Sequence, residues 1–242
     1  MTAQRHRRAG DARAVAARFV DADQDRGIKR GYLRWLPADP LLDLGSGAGH
    51  FLDLLVEHGR RGRGIERADD AVAACVSRGL IVERRDVFEA LDQLAAEGQR
   101  FGSVLAAHLI EHLPGEDGAR LVEAIARVLA PGGRVLFATP NPRNRIVLEE
   151  TFWLDPTHVR PYPRALIVAL CSAAGLDTIA AFDDPASRPL RPAWKQVLAR
   201  LRSWCSGADR SGPMDSVVVA VRGDEPVPGA VSRCAPPCSP AR

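Results

Sequence analysis

Two hydrophobic periods alternate along this chain of 242 residues. Short apolar runs read as buried strands, and stretches where apolar side chains return every three or four positions read as helices. Residues 41–44, Leu-Leu-Asp-Leu, form the first run and end in glycine. Residues 51–58 follow with Phe51, Leu54, Leu55 and His58 on one helical face. The pattern then predicts a strand ending at 64–66, a helix over 71–77, a strand over 80–82, a helix over 87–96 and a strand over 101–106. A helix over 118–129 closes at Pro131-Gly132-Gly133, and residues 134–138 make a further strand. Strands alternating with helices of this length predict a parallel sheet covered on both faces. Upstream, Val15, Phe19, Val20, Ile28, Leu33 and Trp35 have partly helical spacing. They predict a helix within 11–35, broken near Gly27 and stopped by Pro37 and Pro40, that packs against or lids the sheet.

After Thr139 the rhythm changes. Residues 140–163 hold five of the chain's 18 prolines and read as one long loop, a feature usually tied to function inside a compact domain. A helix over 164–174, a strand over 176–182 and a last strand over 216–221 complete the pattern. The domain reading is a single α/β unit over 11–222, interrupted by a basic helical insertion at 185–213. A basic tail at 1–10 and a Pro-rich tail at 223–242 flank it, both read as disordered.

Composition adds exclusions rather than a function. Apolar content is 46% and formal charge only +3, so the chain is neither collagen-like nor wholly disordered. No apolar run reaches the roughly 18 residues that a membrane span needs. Residues 1–10 are Arg-rich but lack the apolar core of a signal peptide. The five cysteines form no disulfide framework, and the scattered Cys75, Cys171 and Cys205 point to a reducing cytoplasm. Cys234 and Cys238 sit in the Pro-rich tail without further ligands, which is no zinc site.

The most informative stretch is Leu41-Leu42-Asp43-Leu44-Gly45-Ser46-Gly47-Ala48-Gly49-His50-Phe51. Glycines at 45, 47 and 49 let the backbone turn tightly and approach a ligand without a Cβ in the way. A dinucleotide loop would want a small residue at 50, where this chain has His. The Gly-x-Gly-x-Gly spacing, with Ser46 inside it, suits S-adenosylmethionine, which has no phosphate to cradle, and Asp43 suits its cationic amino group. A glycine-rich turn without a ligand is the alternative. Glu66 ends the second strand, where a carboxylate can accept both ribose hydroxyls. Asp86, followed by Val87, follows the third strand, where it can take the adenine amino group.

These motifs, in this order, resemble a class I S-adenosylmethionine-dependent methyltransferase over residues 40–182. The resemblance implies a doubly wound, mostly parallel seven-stranded sheet whose last strand, 216–221, is antiparallel. It also implies S-adenosylmethionine as cofactor, held by Asp43, Gly45, Ser46, Gly47, Gly49, Glu66, Asp86, Val87 and His108.

His108-Leu109-Ile110-Glu111-His112-Leu113-Pro114 follows the fourth strand, at the edge where open α/β sheets bind ligands. In one reading Glu111 or His112 orients the loop and His108 lines the cofactor pocket. In the other, His108, Glu111, His112 and His158 bind a divalent metal. The motif resembles the Glu-x-x-Glu-His signature of metal-dependent ubiquinone-pathway and small-RNA 3′-end methyltransferases, with His108 in place of the first Glu. Thr139-Pro140-Asn141-Pro142 and Phe152-Trp153-Leu154-Asp155-Pro156-Thr157-His158 resemble a narrower group, the methyltransferases of bacterial glycan and O-antigen assembly.

That resemblance implies O-methylation of a sugar or glycan hydroxyl or phosphate. His158 would be the base and Asp155 would orient it or take the proton. Trp153 offers a flat face to a sugar ring, Arg160, Arg143 and Arg145 would hold an anion, and Glu111, His112 and Asn141 would line the acceptor site. Alternatively, His158 only braces the loop through a backbone carbonyl. The competing functions are a metal-assisted O-methyltransferase for a small phenolic or nucleic-acid end, and a cofactor-binding protein without catalysis. In the insertion, Trp194, Val197, Leu198, Leu201 and Trp204 make one apolar helical face beside Lys195, Arg200 and Arg202. That face suits an anionic membrane surface, the domain's own core or a second subunit. Nucleic acid is disfavoured, because the basic residues are split and few aromatics are interleaved.

Overall fold

The computed structural model describes residues 22–188 and 212–223. The basic tail, the start of the first predicted helix, the amphipathic face at 194–204, Cys205, Cys234 and Cys238 lie outside the described residues.

The chain order is α1 (Ala22–Tyr32), β1 (Leu41–Leu44), α2 (His50–Glu57), β2 (Gly62–Glu66), α3 (Asp69–Ser77), β3 (Val82–Arg84), α4 (Val87–Ala96), β4 (Phe101–Ala107), α5 (Gly115–Val128), β5 (Leu129–Pro140), α6 (Arg145–Glu149), α7 (Arg164–Ala173), β6 (Leu176–Asp183) and β7 (Asp215–Arg222). Short 3-10 turns occupy Leu33–Trp35, Ile110–His112, Thr151–Leu154 and Pro185–Ser187. The seven strands hydrogen-bond in the order β3-β2-β1-β4-β5-β7-β6. Pairs from β3 to β5 are parallel, and β7 runs antiparallel to both β5 and β6. The parallel sheet expected from the pattern is therefore present, and so is the antiparallel strand that the resemblance implied.

Strand alternation sorts the core into two layers. Leu42, Leu44, Val104, Ala106, Val135, Phe137, Val218 and Ala220 face Leu91, Leu94, Leu121, Val122, Ile125 and Ile167 from α4, α5 and α7. Leu41, Leu105, Leu136, Val217 and Val219 face Tyr32, Phe51, Leu54 and Leu55 from α1 and α2. Cys75 and Cys171 are buried free thiols. Among the described residues no helix is long and apolar enough to cross a membrane.

Three sequence expectations change. Gly27 does not break α1, because the first helix runs through it and ends in the 3-10 turn at Leu33–Trp35. Pro131-Gly132-Gly133 does not separate helix from strand. Phe101 pairs with Leu129 and Ser103 with Arg134, so the intervening residues bulge within β5, with Gly132 at φ +70. The long loop at 140–163 carries structure of its own. Asn144 caps α6 by accepting from the Ile146 amide at 3.0 Å, and the Thr151–Leu154 turn follows.

The topology brings the Gly45–Gly49 turn, Glu66, the His108–His112 segment and Asp215 to one edge. β1, β2, β4 and β5 end at one edge, and antiparallel β7 begins there, with Asp215 opposite Pro140. That carboxyl edge is where doubly wound sheets open a crevice for ligands.

Candidate functional site

The first half of the crevice is built by backbone. Gly45, Gly47 and Gly49 all take positive φ, at +69, +52 and +77. At Gly49 the requirement is double, because a Cβ would also lie 2.7 Å from Cys75 Sγ and 2.8 Å from Leu80. The turn carries the chain from β1 into α2 and is pinned to β2 by the Gly45 and Ser46 amides, which donate to the Ile65 carbonyl. The Gly47 amide donates to Glu66 Oε2 at 3.0 Å, and the Arg67 and Ala68 amides donate to Oε1 at 2.8 and 2.9 Å. Glu66 is buried and rigidly aimed by these three bonds.

Two features of this half suit a bound cation with polar substituents. Ser46 Oγ is buried with no hydrogen-bond partner among the described residues, an arrangement that costs free energy unless something satisfies it. Burial pushes the Asp43 carboxyl up to about 7; Lys29 opposes the rise, while Asp25 and Glu66 add to it. A carboxyl so displaced is short of positive charge. Helix α1 lies over this half as the sequence suggested, with Asp25 bonded to His50 Nδ1 at 2.8 Å and to Lys29 Nζ at 3.0 Å. Asp86 stands apart: exposed, it caps α4 by accepting from the Phe88 amide at 2.8 Å, and Val87 starts that helix. An adenine contact would have to be made alongside this capping bond.

The second half is built by side chains. His108 has φ +52, the only positive φ at a non-glycine among the described residues, a strain typical of functional sites. Its Nδ1 lies 3.2 Å from Glu111 Oε1 and its Nε2 lies 3.8 Å from Asp215 Oδ2. Burial works against the imidazolium, but 41% of the side chain is exposed and the Asp215 and Glu111 carboxylates prevail, raising it to about 9. Glu111 is fully buried, and its Oε2 accepts from Thr139 Oγ1 at 3.1 Å. Burial opposes its charge, yet the His108 hydrogen bond and charge hold its carboxyl below the usual range. Burial pushes Asp215 up to about 6, with His108 acting in the other direction.

The long loop folds over this half. The Glu111 carbonyl accepts from the Val159 amide at 2.9 Å and the Arg160 amide at 3.3 Å. His112 and His158 are thereby brought together, ring centres 4.8 Å apart and planes inclined at 55°. One donor atom from each of Glu111, His112 and His158 lies within 4.8 Å of the other two. His158 Nδ1 donates to the Phe152 carbonyl at 2.6 Å, and its ring packs on Phe152 at 4.4 Å. Burial holds His112 below the ordinary imidazole range despite the pull of Glu111.

Other predicted residues take different places. Asp155 does not hydrogen-bond His158; the separation from Nε2 is 3.9 Å. Its Oδ1 accepts instead from the Thr157 amide at 2.8 Å and the Thr157 hydroxyl at 2.6 Å. Asn141 is buried, donates to the Pro213 carbonyl at 3.2 Å and accepts from the Arg143 amide, so it braces the corner before α6. Arg145 is paired with Glu149. Trp153 is 58% exposed with its indole N–H tied to the Leu148 carbonyl at 2.9 Å, and Arg160 lies over the Tyr162 ring at 5.0 Å. Sequence reasoning gave no role to Thr139, Thr157, Asp215 or Lys29. Thr157 alone carried a signal: Asp at i and Thr at i+2 is the composition of an Asx turn.

The sequence model of a family described as "Methyltransferase domain" matches residues 2–181. The ubiquinone biosynthesis O-methyltransferase of Alkalilimnicola ehrlichii is 31% identical over 104 residues, 42% of this chain and 41% of that protein. Its counterpart in Hahella chejuensis is 31% identical over 111 residues, 44% of this chain and 45% of that protein. The match therefore spans less than half the length of these relatives. In fold, the chain is similar to a SAM dependent methyltransferase from Archaeoglobus fulgidus, with TM-score 0.67 and 20% identity over 84% of this chain and 95% of that one. It is also similar to the N-methyltransferase NodS of Bradyrhizobium japonicum WM9, solved with S-adenosyl-L-homocysteine, with TM-score 0.60 and 16% identity over 88% of this chain and 97% of that one. The finer resemblance to glycan methyltransferases gains no support from these relatives.

Proposed function

The chain belongs to the methyltransferase-domain family, and from that premise we propose that it is an S-adenosylmethionine-dependent O-methyltransferase whose acceptor hydroxyl meets a divalent cation held by Glu111, His112 and His158. The observation that carries this reading is the closeness of those three donors, all within 4.8 Å of one another. S-adenosylmethionine supplies a sulfonium methyl group when bound. The turn at Gly45–Gly49 and the fixed carboxylate of Glu66 would bind it, and Asp43 would face its cationic amino group.

Two imidazoles and one carboxylate suit a borderline cation such as Mn, Co, Fe or Zn better than Mg, which prefers oxygen ligands. Such an ion, held by Glu111, His112 and His158, would polarise an acceptor hydroxyl and lower its pKa. The chain's own part is to fix the acceptor, exclude water with the folded 141–161 segment, and hold the two imidazoles in place. In transfer, the acceptor oxygen would gain the methyl carbon, the electron pair of the sulfur–methyl bond would stay on sulfur to give S-adenosylhomocysteine, and the hydroxyl proton would pass to solvent water, or to His158 Nε2 where no cation occupies it. Without a cation, the Nε2 of His158 would serve as base, because its Nδ1 is engaged by the Phe152 carbonyl.

The test is conversion of S-adenosylmethionine to S-adenosylhomocysteine with catechol-type phenols and with short glycans, after chelation and after return of single metals. Expected is loss on chelation and recovery with Mn or Co ahead of Mg. Full turnover in protein stripped of metal would overturn the cation. A glycan acceptor is the second reading, favoured by the exposed Trp153 face; turnover on glycans and not on phenols would select it.

A further inference from the structure

We infer that Thr157 and Asp155 are positioning residues: together they fix the tautomer of His112 so that its Nε2 carries the lone pair available to a ligand. The inference rests on the reading of Glu111, His112 and His158 as a binding cluster for its purpose, but not for its truth, since the tautomer is a property of the chain alone.

The argument is a proton count. The Thr157 hydroxyl has one proton and two acceptor sites. A carboxylate in its ionised form only accepts. Thr157 Oγ1 lies 2.6 Å from Asp155 Oδ1, so the hydroxyl proton is given to Asp155. Oγ1 also lies 2.9 Å from His112 Nδ1. With its only proton committed, the hydroxyl can satisfy that contact only as acceptor, and His112 must carry its proton on Nδ1. The neutral ring then has its lone pair on Nε2. The Thr157 amide on the same Oδ1, at 2.8 Å, fixes the carboxylate through the local turn.

The neighbouring ring reaches the same state by another route. A carbonyl cannot donate, so the Phe152 oxygen 2.6 Å from His158 Nδ1 dictates a proton on that nitrogen. The chain thus uses a carbonyl for one imidazole and a hydroxyl–carboxylate relay for the other, and both present Nε2. Outer partners of this kind orient metal-ligating imidazoles and raise their basicity. A hydroxyl is a weaker guarantor than a carbonyl, because it can rotate and reverse. Asp155 removes that freedom, which explains why an acidic residue two positions before Thr157 is needed although it does not hydrogen-bond His158.

The experiment is long-range 15N–1H correlation NMR of the metal-free full chain at about pH 8, where neutral imidazole dominates for an ordinary histidine. The wild type is expected to show His112 protonated at Nδ1 only. Thr157→Val removes the hydroxyl at similar volume and is expected to give a mixture with the Nε2-protonated form, while Thr157→Ser restores the wild-type pattern. In parallel, Co2+ affinity read from the visible spectrum should fall by about 10–100-fold in Thr157→Val and recover in Thr157→Ser. A wild-type His112 protonated at Nε2 overturns the inference without any variant, as does a Thr157→Val protein whose His112 keeps its Nδ1 proton. If the tautomers behave as expected but Co2+ binds neither protein, the inference stands and the cation reading of the site fails.

Discussion

Glu66 and Glu111 are buried carboxylates at the ends of neighbouring parts of one sheet edge, and they are held in opposite ways. Three backbone amides aim Glu66, all from the Gly47 turn or its own next two residues. Glu111 is held by the side chains of His108 and Thr139, and its carboxylate joins a cluster completed by a loop some 45 residues further on. Substitution by any residue but proline leaves a backbone amide in place, so the first half depends on glycines and turn shape. The second half depends on individual side chains and their charges. The two halves should therefore fail differently when broken.

The largest effect is expected at Glu111. Glu111→Ala leaves the Thr139 hydroxyl unpaired and His108 with Asp215 alone. Breaking a buried ion pair costs about 3–5 kcal/mol, and the 41% exposure of His108 discounts this to about 2–4 kcal/mol. Urea unfolding measures it; a loss under about 1 kcal/mol would show that the side-chain network is not what holds this half together. Next is Gly49→Ala, where positive φ and the 2.7 Å approach to Cys75 combine. A loss of about 2–3 kcal/mol is expected, against about 1 kcal/mol for Gly47→Ala, which has the strained φ but no Cβ contact under 4.0 Å. Equal losses at the two glycines would mean that packing under the turn is irrelevant.

Glu66→Ala leaves the turn's glycines in place and removes only the aimed carboxylate. Cofactor binding is expected to weaken by about 1–3 kcal/mol in calorimetry, with far less effect on stability than Glu111→Ala. A smaller effect comes from pH. The Asp43 carboxyl sits at about 7 instead of 3.8 because burial disfavours its charge. The folded chain thus holds this proton more tightly than the unfolded chain, and the cofactor-free protein loses stability as pH rises from about 4 to 7. A bound cation favours the ionised form, so cofactor affinity should rise over about pH 5–7 and level off above, by at most tenfold per unit. Asp43→Asn should flatten the profile; a slope that survives it belongs to another group.

The same contrast explains what could be read from sequence. The Gly-x-Gly-x-Gly turn and Glu66 were legible because positive φ and strand-end carboxylates are local properties, written in adjacent residues. His108, Glu111, His112 and His158 were legible as candidates by residue type, but not their arrangement. Whether His158 is brace or ligand could not be decided, because its Nδ1 does one job and leaves Nε2 for the other. Asp155 was misplaced as a direct partner of His158, since its turn with Thr157 redirects it through that hydroxyl to His112. Asn141 read as an acceptor contact because polar residues after a strand often are; here the carbonyl of Pro213, far along the chain, claims it. Asp215 gave no signal, since only the antiparallel return of β7 sets it beside His108.

The smallest expected effect lies at the rim of the second half, at Trp153. Its ring meets Phe152 edge-on at 5.0 Å, while most of its surface faces solvent. Nothing in the Glu111 network depends on it, and the Leu148 carbonyl that accepts its N–H can turn to water. Trp153→Ala should therefore change stability by less than about 1 kcal/mol and leave cofactor affinity unaltered. If the exposed face stacks on an acceptor ring, the variant raises KM for that acceptor while kcat stays near wild type, the signature of binding shared equally by ground and transition states. A fall in kcat with unchanged KM would instead connect Trp153 to the histidine pair through Phe152, whose carbonyl and ring both touch His158. Side-chain control of the second half would then extend to its rim.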